Sequence, residues 1–270
     1  MKIGDWNPKL YLKFKNERTQ PSIDLVNRIH LEKIPSNIID IGCGPGNSTQ
    51  ILVKKWPKSS ITGLDNSASM IEKAKKDYPG QDWILSDAAT FKSEKKYDVV
   101  FSNATIQWIP EHKKLLKVFI DLVSEKGVLA VQIPLFRDLA IWKAIESVSK
   151  KTRWAEATKG CAEIFTYHDI DFYYNVLSAN INAIEMWKTT YIHIMISHSA
   201  ILDWSRSTAL RPYLDRMKQE SEKNEFEKDL LSEIKREYPM QTNGKVLFPF
   251  KRLFFIAYKQ HPPAGSEILT

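Results

Sequence analysis

The chain has 270 residues, 43% of them hydrophobic and 26% charged, enough for one large α/β domain with elaborations or two small ones, and too apolar for a disordered chain. Its formal charge of +7 is dispersed over pairs such as Lys54-Lys55, Lys75-Lys76, Lys95-Lys96, Lys113-Lys114 and Lys150-Lys151, with no compact basic tract interleaved with aromatics. That pattern suits a solvated surface or attraction of a small anion, so nucleic acid is not expected as a partner. No apolar run reaches transmembrane length and the first residues hold no hydrophobic signal core, so neither membrane contact nor secretion is expected. Cys43 and Cys161 make no metal or redox spacing; a cytoplasmic protein without a metal is expected.

The first segment, "DWNPKLYLKFKNERTQP", precedes any strand signal. A helix over Lys9 to Thr19 would put Tyr11, Phe14 and Arg18 on one face, at i, i+3 and i+7. Such a face serves either as a docking surface or as a lid carrying a cation to a site. From Asn37 to Pro134, short apolar strands alternate with amphipathic helices. "NIIDIGCG" is a strand entering a glycine loop, Gly46 to Trp56 a helix, and "SITGLD" a second strand. Ser67 to Tyr78 is a helix with Met70, Ile71 and Ala74 on one side; "DWILSD" and "YDVVFSN" are strands, Glu111 to Val123 a helix, and "GVLAVQIP" a fifth strand. This rhythm predicts a parallel sheet covered on both faces.

After Pro134 the rhythm changes. Leu135 to Ala179 reads mostly helical, "EMWKTTYIHIM" as a strand, and Ser197 to Tyr238 as helical, with Phe226, Leu230, Ile234 and Tyr238 at i+4 spacing. "KVLFPFKRLFFIAYK" closes the pattern as a strand after the Asn243-Gly244 turn, and "HPPAGSEILT" is read as a loose tail. The expected organisation is N-terminal lid helices (1–36), a Rossmann-like core (37–134), a helical cap insertion (135–183), late core strands with a second cap insertion (184–260, insertion about 197–240), and the tail (261–270).

"DIGCGPGNS" carries the chemistry. Gly42, Gly44 and Gly46 let the backbone turn tightly and approach a ligand, and the following helix aims its N-terminal amides at it. The spacing is G-x-G-x-G, one residue shorter than the dinucleotide fingerprint. Asp65 ends the second strand, where a carboxylate can accept both ribose hydroxyls. Nicotinamide, flavin and S-adenosylmethionine (SAM) binders share these features. Asp40, two residues before the loop, and Asp87 in "SDAATF" after the third strand narrow the choice.

Together, Asp40, Gly42-x-Gly44-x-Gly46, Asp65 and Asp87 resemble the class I SAM-dependent methyltransferases over Asn37 to Pro134. The resemblance implies a mostly parallel sheet with its last strand antiparallel, helical cap insertions and SAM as cofactor. It further implies that the loop backs the methionine part, that Asp65 holds the ribose, that Ser67 and Met70 pack near the adenine, and that Asp87-Ala88 contact its edge. For Met70 the plain alternative is a helix-core position, and for Cys43 it is a small buried side chain rather than a thiol nucleophile. "FSNATIQWIPEH" lacks the N-P-P-aromatic motif of the amino-methylating nucleic-acid enzymes. Asn103 then faces the methionyl end, and Trp108 is a candidate acceptor-pocket wall or a core aromatic.

Along nearly the whole chain, "DWNPKLYLKFKNERTQP", "DIGCGPGNST", "SNATIQWIPEH", "WKTTYIHIM", "SHSAILDWSRSTALRPYL" and "FPFKRLFFIA" are similar to the trans-aconitate 2-methyltransferase family. The stretch from Leu135 to Lys159 matches least. This resemblance implies esterification of a small polycarboxylic acid. A carboxylate, with a reference pKa of roughly 4, is already ionised at neutral pH, so no catalytic side chain is expected. Positioning and a dry aromatic pocket are the tools. Arginine forks should hold the carboxylates that do not react; Arg18 and Arg211 are the candidates, with Tyr11, Trp108, Tyr191, His193, Trp204 and Tyr213 as further substrate residues. Tyr191 and His193 alternate on a strand and so share a face. The alternatives are a different small or carrier-bound acid, an RNA methyltransferase, or a SAM-binding protein without turnover.

Overall fold

Four strands of the first half are buried along most of their length, as a sheet covered on both faces requires: β1 (Asn37–Ile41), β2 (Ser60–Asp65), β4 (Tyr97–Asn103) and β5 (Val123–Pro134); the shorter edge strand β3 (Asp82–Leu85) is buried at Trp83. The computed structural model describes Trp6 and residues 14–181 and 183–260. With β6 (Ala183–Met195) and β7 (Val246–Tyr258) the strands form one seven-stranded sheet of order β3-β2-β1-β4-β5-β7-β6. β1 pairs in parallel with β2 and β4, β2 with β3, and β4 with β5. The sheet is mostly parallel and its last strand runs antiparallel. The order reverses between β1 and β4, which opens a crevice at the carboxyl ends of those strands.

The helices are α1 (Lys15–Asn27), α2 (Asn47–Lys55), α3 (Ala68–Asp77), α4 (His112–Leu122), α5 (Ala140–Ser149), α6 (Ile170–Ser178), α7 (His198–Arg206), α8 (Arg211–Leu214) and α9 (Glu220–Glu237). Ser67 caps α3 by accepting from the Met70 amide at 3.3 Å, and Met70, Ile71 and Ala74 make its buried stripe. Lys75 and Lys76 fall in its last turn, where cations suit the helix dipole. β5 starts at Val123, directly after α4 and four residues before the expected Gly127; a register shift between Tyr97 and Val99 absorbs the extra residues.

α1 departs from expectation. Residues 7–13 lie outside the described residues, Tyr11 among them. The helix also runs through Pro21 to Asn27 instead of stopping at Thr19. An interior proline costs about 3 kcal/mol. Beyond it Leu25 and Val26 are fully buried, each contributing about 1.5–3 kcal/mol, so burial outweighs the broken ladder. The end of α1 is tied down by Lys55, whose Nζ donates to the Val26 carbonyl, and by Tyr258, whose hydroxyl accepts from the His30 amide at 3.1 Å.

The chain forms two compact units. The first takes residues 6–133, 166–188 and 253 onward; the second takes 134–165 and 189–252. In the second unit, Phe226, Leu230 and Ile234 form the fully buried stripe of α9, and Tyr238 accepts from the Ile141 amide at 2.7 Å. The Arg206 guanidinium forks onto Glu227 through two bonds of 2.6 Å and also pairs with Asp203.

In the first unit the glycine loop links β1 to α2. Gly42 has φ of +75°, and a Cβ there would stand 2.1 Å from the Thr105 side chain. Gly44 has φ of +55° but a Cβ would meet nothing within 4 Å. Gly44→Ala is therefore expected to cost about 1–2 kcal/mol, the left-handed penalty alone. Gly42→Ala adds overpacking of about 1–3 kcal/mol. Urea unfolding of the ligand-free variants measures both, and equal losses would contradict the close Gly42–Thr105 approach.

Candidate methyl-donor site

The loop is pinned onto the end of β2. The amides of Gly42 and Cys43 both donate to the Leu64 carbonyl, at 2.7 and 3.0 Å. Asp65, the next residue, accepts from the Gly44 amide at 2.9 Å through Oδ2 and from the Ser67 amide at 2.9 Å through Oδ1. The carboxylate is thereby oriented by the backbone at the mouth of the loop, where a diol could reach it. Gly46, at φ of +94°, caps α2, and a Cβ there would press on Tyr78 at 2.8 Å and Trp83 at 2.9 Å.

Asp40 braces the loop from behind. Its Oδ2 accepts from Ser48 Oγ and Thr49 Oγ1, each at 2.6 Å, which ties β1 to the first turn of α2. The carboxyl is fully buried and its other oxygen has no hydrogen-bond partner among the described residues. Burial pushes its pKa up to about 6, against the two hydroxyl donors and with help from the Asp65 charge. Cys43 is equally inert: burial drives its thiol well above the usual range, and it packs with Ile71, Ala74 and Trp83.

A cavity opens at these strand ends, with about 680 Å³ of space including its open mouth. Its lining is contributed by Gly42 and Gly44 from the loop, Leu64 to Asn66 after β2, Met70 from α3, and Ser86 and Ala88 after β3. Asn103, Ala104, Thr105, Trp108 and Ile109 line it after β4, and Trp6 closes the set. The Trp6 and Trp108 rings meet edge to face, with centroids 5.1 Å apart, and Ser69 Oγ donates to the Trp6 carbonyl at 2.6 Å. Asn103 Oδ1 is buried with no hydrogen-bond partner among the described residues. An oriented carboxylate for a ribose, a buried acceptor for an ammonium, and apolar walls at Met70 and Ala88 fit a nucleoside joined to an amino acid.

Of the residues expected from sequence to hold the cofactor, Gly42, Gly44, Asp65, Met70, Ala88 and Asn103 line the cavity, while Asp40, Gly46, Ser67 and Asp87 do not. Ser67 is used as the α3 cap. Asp87 is exposed and turns back to accept from the Ala89 amide at 2.8 Å. Trp108 is in the lining; Arg18 is buried but is not. Trp6 and Thr105 are additions. Trp6 carried no periodic signal, and Thr105 shows only through its approach to Gly42.

The remaining substrate candidates belong to the second unit. Tyr191 and His193 do share a face of β6, their rings nearly parallel at 6.3 Å. His193 packs on Trp204 at 5.0 Å, with Phe248 and Phe250 around both. Arg252 is buried over Phe250 at 4.6 Å and faces Tyr191 at 5.7 Å; nothing in the sequence pattern singled it out. Arg211 is half-buried with Nε 3.8 Å from Asp215, and Tyr213 is a core ring against Phe226 whose hydroxyl lacks a hydrogen-bond partner among the described residues.

Residues 38–127 match the model of a methyltransferase domain family. Among solved structures, the YcgJ protein of Bacillus subtilis aligns over 90% of this chain and 99% of its own, with a TM-score of 0.57 at 12% identity. Haemonchus contortus phosphoethanolamine N-methyltransferase 2, solved with S-adenosyl-L-methionine, aligns over 94% of this chain and 57% of its own, with a TM-score of 0.59 at 15% identity. Fold and site together define a class I SAM-dependent methyltransferase. The trans-aconitate 2-methyltransferase of Enterobacter sp. (strain 638) is 38% identical over 258 residues, which is 96% of this chain and 100% of that protein. Its counterpart from Escherichia coli O139:H28 is 38% identical over 264 residues, 94% of this chain and 98% of that protein. The chain belongs to the trans-aconitate 2-methyltransferase family.

Two outcomes are expected here. Asp65→Ala should weaken S-adenosylhomocysteine binding by about 2–4 kcal/mol, through lost ribose acceptors and a loosened loop, as read by calorimetry; unchanged affinity would remove Asp65 from the site. For Asp40, the folded state holds the proton more tightly than the unfolded chain, so ionisation destabilises the fold. Stability falls as pH rises from 3.8 through about 6, by on the order of 3 kcal/mol in all. Asp40→Asn keeps an acceptor for Ser48 and Thr49, so in urea it should gain on the parent protein over that window. Parallel pH profiles would contradict the raised pKa.

Proposed function

We propose that this protein transfers the methyl group of SAM to a carboxylate of trans-aconitate or a closely similar small polyacid, forming a methyl ester and S-adenosylhomocysteine. The observation that carries this is identity of 38% to relatives of that name over 96% and 94% of this chain, cap segments included. The chemistry of the cavity agrees. Among the described residues Asp65 is its one ionisable lining side chain. Beyond Asp65, which the Gly44 and Ser67 amides hold, an acceptor that must lose a proton finds no base among those residues, whereas a carboxylate arrives ionised.

Bound SAM supplies an electrophilic methyl on a sulfonium. SAM would be held by the glycine loop, Asp65 and Asn103 and would supply that methyl to a carboxylate oxygen, a transfer in which no side chain of the site would need to move a proton. Asp65 and Asn103 orient the donor. Trp6 and Trp108 exclude water, which matters because opposite charges cancel in the transition state and water stabilises them beforehand. A cation on the attacking carboxylate would hold it in its ground state. We therefore assign Arg18 and Arg211 to carboxylates that do not react, with Tyr191, His193, Trp204 and Tyr213 as further substrate residues. The partner is a small anionic acid rather than nucleic acid. Among the described residues no helix is long and apolar enough to cross a membrane. Both cysteines are free and buried, which supports a reducing cytoplasm as the working compartment.

The test is a methyl-transfer screen against trans-aconitate, cis-aconitate, citrate, isocitrate and simple monoacids, with esters read by mass spectrometry. Trans-aconitate is expected to give the highest kcat/KM; a preferred monoacid would overturn the polyacid assignment. Arg211→Met is expected to raise KM for the preferred acid at least about tenfold while leaving S-adenosylhomocysteine affinity nearly unchanged. Equal loss for both ligands would make Arg211 structural.

A further inference from the structure

The turn that follows β4 is held in a conformation it would not adopt by itself. Ala104 sits at φ of +55°, in the left-handed region that a side chain disfavours. Its amide donates to the Gln132 carbonyl at 3.0 Å and its carbonyl accepts from Gln107 Nε2 at 2.7 Å. Residues 106–108 then make a single 3-10 turn, whose flanks Ala104, Thr105, Trp108 and Ile109 all line the cavity. Strain of this kind persists only where the surroundings over-determine it.

The restraint comes from outside the cavity, through His112 at the start of α4 and Tyr173 in α6. His112 is fully buried, with Nε2 at 2.8 Å from the Ile106 carbonyl and Nδ1 at 2.7 Å from the Tyr173 hydroxyl. A carbonyl only accepts, so Nε2 carries the hydrogen, Nδ1 is the acceptor, and the Tyr173 hydroxyl donates. Burial holds the imidazole neutral, its pKa lowered to about 4, and pushes the Tyr173 phenol up, so neither partner changes charge at working pH. The Thr166 amide adds a bond of 2.9 Å to the Gln107 carbonyl, so the segment leading into α6 grips the same turn at a second point.

We propose that His112 and Tyr173 are positioning residues for methyl transfer: the Tyr173–His112–Ile106 chain of hydrogen bonds fixes the turn so that the Trp108 ring stands against Trp6 as the wall of the donor cavity. A purely packing role would be met by any apolar side chain at position 112. The two short bonds instead direct a buried polar ring onto the backbone of the one turn that supplies the cavity wall. This inference rests on reading that cavity as the methyl-donor site.

The test uses Tyr173→Phe, His112→Gln and His112→Leu in the full chain. Gln can place its amide nitrogen where Nε2 stands and so keep the Ile106 bond; Leu removes both bonds. Three quantities are read: kcat and KM for the preferred acid, S-adenosylhomocysteine affinity by calorimetry, and the near-UV circular dichroism that Trp108→Phe removes from the parent protein. Tyr173→Phe is expected to lower kcat about fivefold to tenfold, the equivalent of one hydrogen bond. His112→Gln should fall between the parent and His112→Leu, and all three should keep affinity within about threefold, because the Asp65 end is untouched. The Trp108 signal should shrink in the order of the kinetic losses. Unchanged kcat and Trp108 signal in Tyr173→Phe would overturn the proposal, as would affinity losses equal to the kcat losses in all three variants. Should the parent turn over none of the acids, the substrate assignment fails; the Trp108 signal, recorded with no acid present, then decides this proposal alone.

Discussion

The Leu64 carbonyl and the Asp65 carboxylate between them receive the amides of Gly42, Cys43, Gly44 and Ser67. That junction makes a site out of a sheet edge. It joins the end of β2 to the loop after β1 and to the cap of α3, so this side of the cavity is organised by one dipeptide. The loop can lie this close only because position 42 has no side chain, and Thr105 fills the space a Cβ would take. Thr105 in turn donates to the Gly42 carbonyl at 3.3 Å, which carries the same junction across to the turn after β4.

The costs of this construction are local. Burying the Asp40 carboxyl and bending Ala104 into the left-handed region are each unfavourable, the second by about 1–2 kcal/mol. Both are offset by hydrogen bonds to otherwise buried polar groups: Ser48 and Thr49 for Asp40, and Gln132 and Gln107 for Ala104. Such a bond contributes only about 1 kcal/mol net, but leaving a buried partner unpaired costs about 1–3 kcal/mol. The asymmetry explains why these polar groups come as connected sets, and why the cavity's two faces depend on residues that never touch its contents.

Much of this was legible in the sequence. The alternation of apolar runs and amphipathic helices located β1 to β4 and α2 to α4 within a residue or two, because burial on both faces leaves an unbroken run and burial on one face a stripe. Asp65 was legible because a strand followed by an acid fixes where the carboxylate points. Asp40 was not: the same D-x-G-x-G spacing serves a ligand contact or an internal brace. The choice depends on Ser48 and Thr49 turning back toward it, which spacing does not encode. Ser67 and Asp87 were ambiguous for a related reason, since short polar side chains near helix and strand ends are used equally well by the backbone. Trp6 and Arg252 carry no periodic signal, and α1 runs past Pro21 because burial of Leu25 and Val26, a tertiary matter, outweighs a local rule.

The scarcity of ionisable side chains among the described residues of the donor cavity fits the charge change of carboxylate methylation. Attack of a carboxylate on a sulfonium turns two charged groups into a neutral ester group and a neutral thioether. A fixed charge set against the reacting group of opposite sign stabilises that starting ion more than the transition state, and so raises the barrier. Walls made of Trp6, Trp108, Ile109 and Leu64, with amide and hydroxyl groups in place of bases and cations, avoid that penalty. Asp65 escapes it because its charge is already shared with the Gly44 and Ser67 amides. The same reasoning separates attraction from chemistry. An excess charge of +7 spread over the surface favours approach of a polyanion at long range, while the described lining of the cavity holds no cation that would pin the attacking oxygen in its ground state.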